Sequence, residues 1–260
     1  TVYTGDNSTS ITPTTVLGTG AFVLSGNNTY TGTTTVTSGT LVLNGTNSSS
    51  GVAVASGATL GGSGRIAGAI SGAGQISPGN SPGILAANQV NPAGGLGFNF
   101  EFTATGAPAY GNAAASVNDV LRLTGATTPF VSDLTGSNAV SIYLNLTAVS
   151  AGNTFQGGFF TDKNVAFLSS IDSAVFAYYV KGAGGGSHAY NGFSYYTLAE
   201  YDAGLSINLS TIQVTSATFA DGTVTNGYIS ELSVVPEPTT WALLAFSLTT
   251  VMVLRRRRRS

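Results

Sequence analysis

The sequence predicts an all-β chain: a short parallel β-solenoid, then further β structure, then one C-terminal hydrophobic helix. Three observations point there. From Gly18 to about Ala87 short β-branched runs are broken by glycine, part of that pattern recurs about 18 residues on, and the chain closes on an apolar stretch followed by five arginines.

Composition narrows the function classes. The 260 residues include no cysteine, one histidine, 35 glycines and only 8% charged residues, against roughly 25% in an ordinary domain. A disulfide framework or a cysteine-based zinc site is excluded. Lys and Arg total 9, and five of them form one terminal run, so too few remain to track a phosphate backbone and nucleic acid is not an expected partner. The hydrophobic fraction of 42% suffices for a core. Without residues 237–260, which hold five Arg and one Glu, the formal charge of −2 becomes −6, and such a body repels anionic lipid. The chain opens at Thr1 inside a Thr/Ser/Asn/Gly-rich pattern with no basic-then-apolar leader, which reads as a processed or cut beginning.

The runs AFVLSG, TTTVTSG, TLVLNG, VAVASG and ATLGGSG are each too short for a helix. Ser38-Gly39 after Val36 recurs as Ser56-Gly57 after Val54. Apolar residues facing one way and Thr, Ser or Asn the other, at a period of 18 to 20, fit rungs stacked at about 4.8 Å. An antiparallel sandwich with glycine turns is the alternative that the same spacing permits.

Residues 20 to 45, GAFVLSGNNTYTGTTTVTSGTLVLNG, resemble the autotransporter-associated β-strand repeat. Residues 57 to 85, ending in SPGNSPG at Ser77 to Gly83, are similar to the segment that commonly follows it. The resemblance implies a right-handed β-helix on a bacterial surface, with Asn27, Asn28 and Tyr30 as ladder and corner residues. A true autotransporter ends in a long membrane β-barrel. Only about 150 residues precede the tail here, so the chain is not expected to translocate itself.

Beyond Leu96 the expectation stays β. Phe98, Phe100 and Phe102 fall on one face of GFNFEFT, and Val140, Ile142, Leu144 and Leu146 on one face of AVSIYLNLT. Further strands are expected at 117–124, 174–180, 193–198, 205–214 and 228–235. This stretch reads as a second all-β unit, sandwich-like or continuing the solenoid, that caps its open end. The resulting division is 1–95 for the repeat region, 96–234 for the second unit and 235–260 for the tail.

The tail has three parts: VPEP at Val235 to Pro238, an apolar run from Trp241 to Leu254, and Arg255, Arg256, Arg257, Arg258 and Arg259 before Ser260. Fourteen helical residues span about 21 Å, enough for a thinned bilayer once Thr239, Thr240 and snorkelling arginine stems are added. Each arginine costs roughly 2.5 to 3.5 kcal/mol at mid-membrane, so the run is a membrane stop that stays cytoplasmic. Pro236 and Pro238 keep the preceding stretch extended and open to a processing enzyme. The arrangement resembles the PEP-CTERM sorting signal, with Pro236, Glu237 and Pro238 matching the motif. That resemblance implies Sec export, an inner-membrane-anchored precursor, exosortase as partner, removal of the tail, and release to the cell surface or an exopolysaccharide matrix. An unprocessed membrane anchor is the alternative.

Candidate chemistry is sparse. His188 stands in the glycine stretch GAGGGSHAY and reads as a solvated loop residue without a second ligand. Asp119 and Asp162 lie at strand ends, where a carboxylate accepts turn hydrogen bonds. Glu200 and Asp202 would share one side of a strand about 7 Å apart, a glycosidase-like separation that exposed turns also produce. Near His188 neither a GxSxG nor a Ser/His pairing is evident, and GGGSH at Gly184 has the glycines of a calcium-binding GGxGxD loop without its aspartate. No catalytic residue, metal or cofactor is therefore assigned. The expected function is an exported, non-enzymatic surface or matrix protein that acts as a stiff polar spacer, with exopolysaccharide as a further expected partner. A glycan-binding module that stacks sugars on Tyr178, Tyr179, Tyr195 and Tyr196 is the alternative. A polysaccharide-degrading enzyme ranks below both, because Arg65 is the only charged residue from Gly18 to Ala87.

Overall fold

The computed structural model describes residues 3–5, 15–16, 18–48, 51–80, 82–91, 95–112, 116–125, 140–146, 152–162, 176–181, 188–190, 193–197 and 205–236. Every regular element among them is a strand. In chain order these begin with β1 (Tyr3–Gly5), β2 (Thr15–Val16), β3 (Ala21–Leu24), β4 (Asn27–Asn28), β5 (Thr34–Val36), β6 (Thr40–Leu43), β7 (Thr46–Asn47) and β8 (Gly51–Val54). Then come β9 (Thr59–Gly62), β10 (Arg65–Gly72), β11 (Gln75–Pro78), β12 (Ile84–Asn91), β13 (Gly97–Phe102), β14 (Val120–Leu123), β15 (Val140–Leu146) and β16 (Thr154–Thr161). The last are β17 (Phe176–Lys181), β18 (His188–Tyr190), β19 (Phe193–Thr197), β20 (Leu205–Thr218) and β21 (Val224–Pro236).

Two sheets share these strands. One runs β1-β3-β6-β9-β11-β13-β15-β17-β19-β18 and the other β2-β5-β8-β10-β12-β14-β16-β21-β20. The chain thus passes from one sheet to the other and back, and each strand pairs with the strand one circuit later. From β1 through β17 in the first sheet, and from β2 through β16 in the second, that pairing is parallel. Antiparallel strand pairs, the mark of the sandwich alternative, do not occur among the described residues from Gly18 to Ala87; the exception is one isolated bridge, Gly62 to Gly79. Both sheets run on across residue 95 through β11, β13, β12 and β14. Each then ends in antiparallel strands, β17-β19-β18 and β16-β21-β20.

Register explains the repeat. Phe22 lies beside Leu41 and Leu41 beside Leu60, while Val36 lies beside Val54. The buried side chains of one circuit therefore stack on those of the next. Leu41, Leu60, Ile76 and Phe98 face Val36, Val54, Ile70, Leu85 and Leu121 in one continuous core. Along the chain this core widens from Val and Leu to phenylalanine. Phe98, Phe100 and Phe102 are all buried, as are Ile142, Leu144 and Leu146, so both period-2 readings hold. Phe159 meets Phe98 and Phe100 edge-on at 5.0 and 5.1 Å, a favoured geometry for aromatic rings.

Corners are tight enough to need glycine. At Gly39 φ is +73°, and an added Cβ would strike the carbonyl oxygens of Gly18 and Gly20. At Gly45 the obstacle is close approach alone: a Cβ would collide with the Gly26 carbonyl oxygen, which the Thr46 N–H already uses at 3.2 Å. Backbone atoms cannot yield there without breaking the ladder between circuits. Gly45→Ala is expected to lower stability by about 1–3 kcal/mol, read as a lower urea midpoint. An unchanged midpoint would show that adjacent corners are not in contact.

Candidate functional site

Three polar features interrupt this apolar, glycine-rich body. The first is internal. Asn28 and Asn47 are paired across β4 and β7 and fully buried. Asn28 Nδ2 donates to the Gly26 and Thr46 carbonyls at 3.0 and 3.2 Å, so it ties its own corner to the next. Asn47 Nδ2 donates to the Tyr30 hydroxyl at 2.9 Å and to Thr34 Oγ1 at 3.3 Å, and those two oxygens lie 2.7 Å apart. One circuit later the position is Ile66, then Ala87. A polar interior thus gives way to an apolar one. Its groups are mutually satisfied and shielded from solvent, so the network is structural.

Asp119 is the second feature. It stands just before β14 and is 2% exposed, and its two oxygens accept the Gly83 and Glu101 N–H groups at 2.7 Å each. One carboxyl therefore clips the entries of β12 and β14 to the end of β13. Burial raises its pKa well above the usual carboxylate range; the two backbone hydrogen bonds oppose this, and the nearby Glu101 charge adds to it. A carboxyl so enclosed has no room for a substrate.

The third feature is a groove on the outer face of the second sheet. Thr46, Arg65, Ala86 and Arg122 sit side by side on β7, β10, β12 and β14. The wall opposite is the tip of the β20–β21 hairpin, Phe219 to Asp221. A register shift between Val214 and Ala217, with Ser216 at φ +58°, breaks the regular ladder near the tip. The Asn226 side chain braces the Ser216 N–H at 2.8 Å. A bulge of this kind bends a strand. The tip then packs on the outer face of β12, β14 and β16, where Ile84, Val120, Phe160, Phe219 and Ile229 form a second small core.

Arg122 is caught beneath this tip. It is 3% exposed, its guanidinium carbon lies 3.6 Å over the Phe219 ring, and Nη1 meets Asp221 Oδ2 at 3.3 Å. Burial lowers its pKa, opposed by Asp221 and then Asp162. Asp221 is pushed up by partial burial but held below its usual range by Thr223 and by the Arg122 charge. Asn44, Thr46 and Ser63 complete a space of about 230 Å³, with exposed Arg65 at the lip.

The residues singled out in the sequence fall elsewhere. Pro236 ends β21, paired with Leu205. Glu237, Pro238 and Arg255 to Arg259 lie outside the described residues, with the expected tail helix, and so do Glu200 and Asp202. Among the described residues no helix is long and apolar enough to cross a membrane, and no group of three or more His, Asp or Glu residues could hold a metal. His188 corrects an expectation: it opens β18 and pairs with Tyr195 instead of standing in a loop. By register Tyr178 lies beside Ile142 and Tyr196 beside Val180, whereas Tyr179 lies beside Tyr143 and Tyr195 beside Lys181. The four tyrosine positions thus fall on alternating rows of the sheet, not on one.

Sequence reasoning noted Arg65 only as the lone charge of its region and missed the groove and Arg122. Its signal was faint: an arginine between two leucines in VLRL, in a body with four cations.

Compared with known proteins, residues 15–43 and 38–60 match the family described as passenger-associated-transport-repeat. This stretch is an autotransporter-associated repeat, as its resemblance implied. No curated protein and no solved structure matches the chain.

Asp119→Asn would turn an amide N–H₂ toward one of the two backbone donors and is expected to cost about 1–3 kcal/mol. Because the folded carboxyl holds its proton to higher pH than the unfolded one, its contribution is full below about pH 4 and is lost as pH rises through the folded value. The gap in urea midpoint between wild type and variant should therefore widen from pH 7 to pH 4. A gap that narrows would contradict the direction of the shift.

Proposed function

We propose that this chain is an exported structural protein of the cell surface or exopolysaccharide matrix, without intrinsic catalysis, whose body is a right-handed parallel β-helix. The observation that carries the reading is the passenger-type repeat at residues 15–60, joined to parallel register that advances one circuit at a time. Right-handedness rests on the strong preference of parallel crossovers for that hand. In such a body, stacked circuits make a stiff rod whose interior gives proteases little purchase. The antiparallel ends of both sheets replace a bare parallel edge, which limits end-to-end growth.

Delivery follows from the tail. Pro236, Glu237 and Pro238 form the motif that exosortase reads, the apolar run from Trp241 to Leu254 holds the precursor in the inner membrane, and the five arginines fix the cytoplasmic end. Cleavage then frees an acidic, cysteine-free body that needs no oxidation to stay folded.

Expressing the full chain beside Pro236→Ala, followed by fractionation and mass determination of the C-terminus, tests this. Wild type should reach the surface without its arginines, and the variant should stay with the inner membrane at full mass. An intact tail on wild-type surface protein would overturn the sorting step.

A further inference from the structure

Four cationic side chains precede the terminal arginine run: Arg65, Arg122, Lys163 and Lys181. Two of them line the single groove between β10, β14 and the hairpin tip. In a body of formal charge −6 that pairing places like charges together: their strands are separated only by β12, about 10 Å at the usual strand spacing. The methyl of Ala86 lies between them. Asp221 answers Arg122 on one side, and Asp162 acts on it from further off. Among the described residues Arg65 makes no ion pair.

Donors are left over on the buried partner. Nη1 of Arg122 is taken by Asp221, but its Nε is buried with no hydrogen-bond partner, and so is Ser63 Oγ. Both residues line the groove. A buried guanidinium N–H without an acceptor is costly, so the groove lies over a positive charge that its own neighbours answer only in part.

We propose that this groove binds the carboxylate of a uronic acid residue. The carboxylate pairs with the guanidinium of exposed Arg65, a planar fork that suits a two-oxygen anion, and lies over the buried charge of Arg122. Ring hydroxyls meet the neutral polar wall formed by Asn44 and Thr46, while Ile84 and Ala86 cover a C–H face. The face of Phe219 is already taken by Arg122, so aromatic stacking plays no part. A space of about 230 Å³ lies below the usual range for drug-sized ligands and suits one sugar unit. The choice of a sugar to carry the carboxylate rests on the matrix reading above; the anion site itself rests on the groove alone.

Titration of the purified full-length chain, held in a non-ionic detergent, with glucuronate, glucose and acetate tests the assignment by calorimetry or amide chemical shifts. Glucuronate should bind one to one, at least tenfold more tightly than glucose or acetate. Arg65→Gln, at an exposed lip position, should weaken glucuronate at least tenfold while leaving the thermal midpoint unchanged. Acetate binding as well as glucuronate would overturn the sugar assignment. Glucose binding as well as glucuronate, undiminished affinity in Arg65→Gln, or no binding would overturn the site. None of these outcomes bears on tail processing, and failure of tail processing would leave the groove as it is.

Discussion

Parallel register at a fixed step along the chain is the constraint on which the rest of this structure depends. The strands of one circuit take their backbone partners from the circuit before or after it, so no strand satisfies itself. Side chains inherit that order: whatever Leu41 is, it must pack on Phe22 and Leu60. A glycine at a corner is then imposed by the carbonyl of the preceding corner, as Gly45 shows against Gly26. Deviations in step length are taken up outside the ladder. From β12 to β17 parallel partners stand 36 or more positions apart, as Ile84 and Val120 do.

The same constraint sorts the interior. In the early circuits asparagine, tyrosine and threonine share the interior with valine and leucine, because their hydrogen bonds are met by stacked neighbours. Isoleucine, leucine and phenylalanine fill the later ones. Asp119 marks the transition to longer circuits, where a carboxylate reaches between strands to hold entries that no repeat positions. Function, in this account, is divided between a body built for stiffness and a recess at its side. The recess exists because a hairpin bent at Ser216 folds its tip over the outer face of the second sheet.

Much of this was legible locally. Val36 and Val54, each followed by Ser-Gly, gave the step, and alternation gave the buried faces of β13 and β15 to the residue. Asn28 and Tyr30 were legible through family resemblance. What escaped depends on distance along the chain. Arg122 alternates with Leu121 and Leu123 along β14; it is buried because Phe219 and Asp221 arrive from 97 and 99 positions away. Asp119 reads as a turn acceptor, yet one of its donors is Gly83, 36 positions earlier. His188 was read from its glycine neighbours, although pairing with β19 makes it a strand residue. In each case the partner is remote and carries no periodic signal.

Cysteine pairs test the register most directly, since the chain has no cysteine of its own. Val23 and Val42 are neighbours on the outer face of β3 and β6, within the Cα separation that a disulfide tolerates. Oxidation of the Val23→Cys/Val42→Cys chain should yield an intramolecular crosslink in the folded protein, whereas Val23→Cys/Val54→Cys, placed on different sheets, should yield none. A crosslink in the second pair and not in the first would mean that successive circuits are not stacked in parallel register.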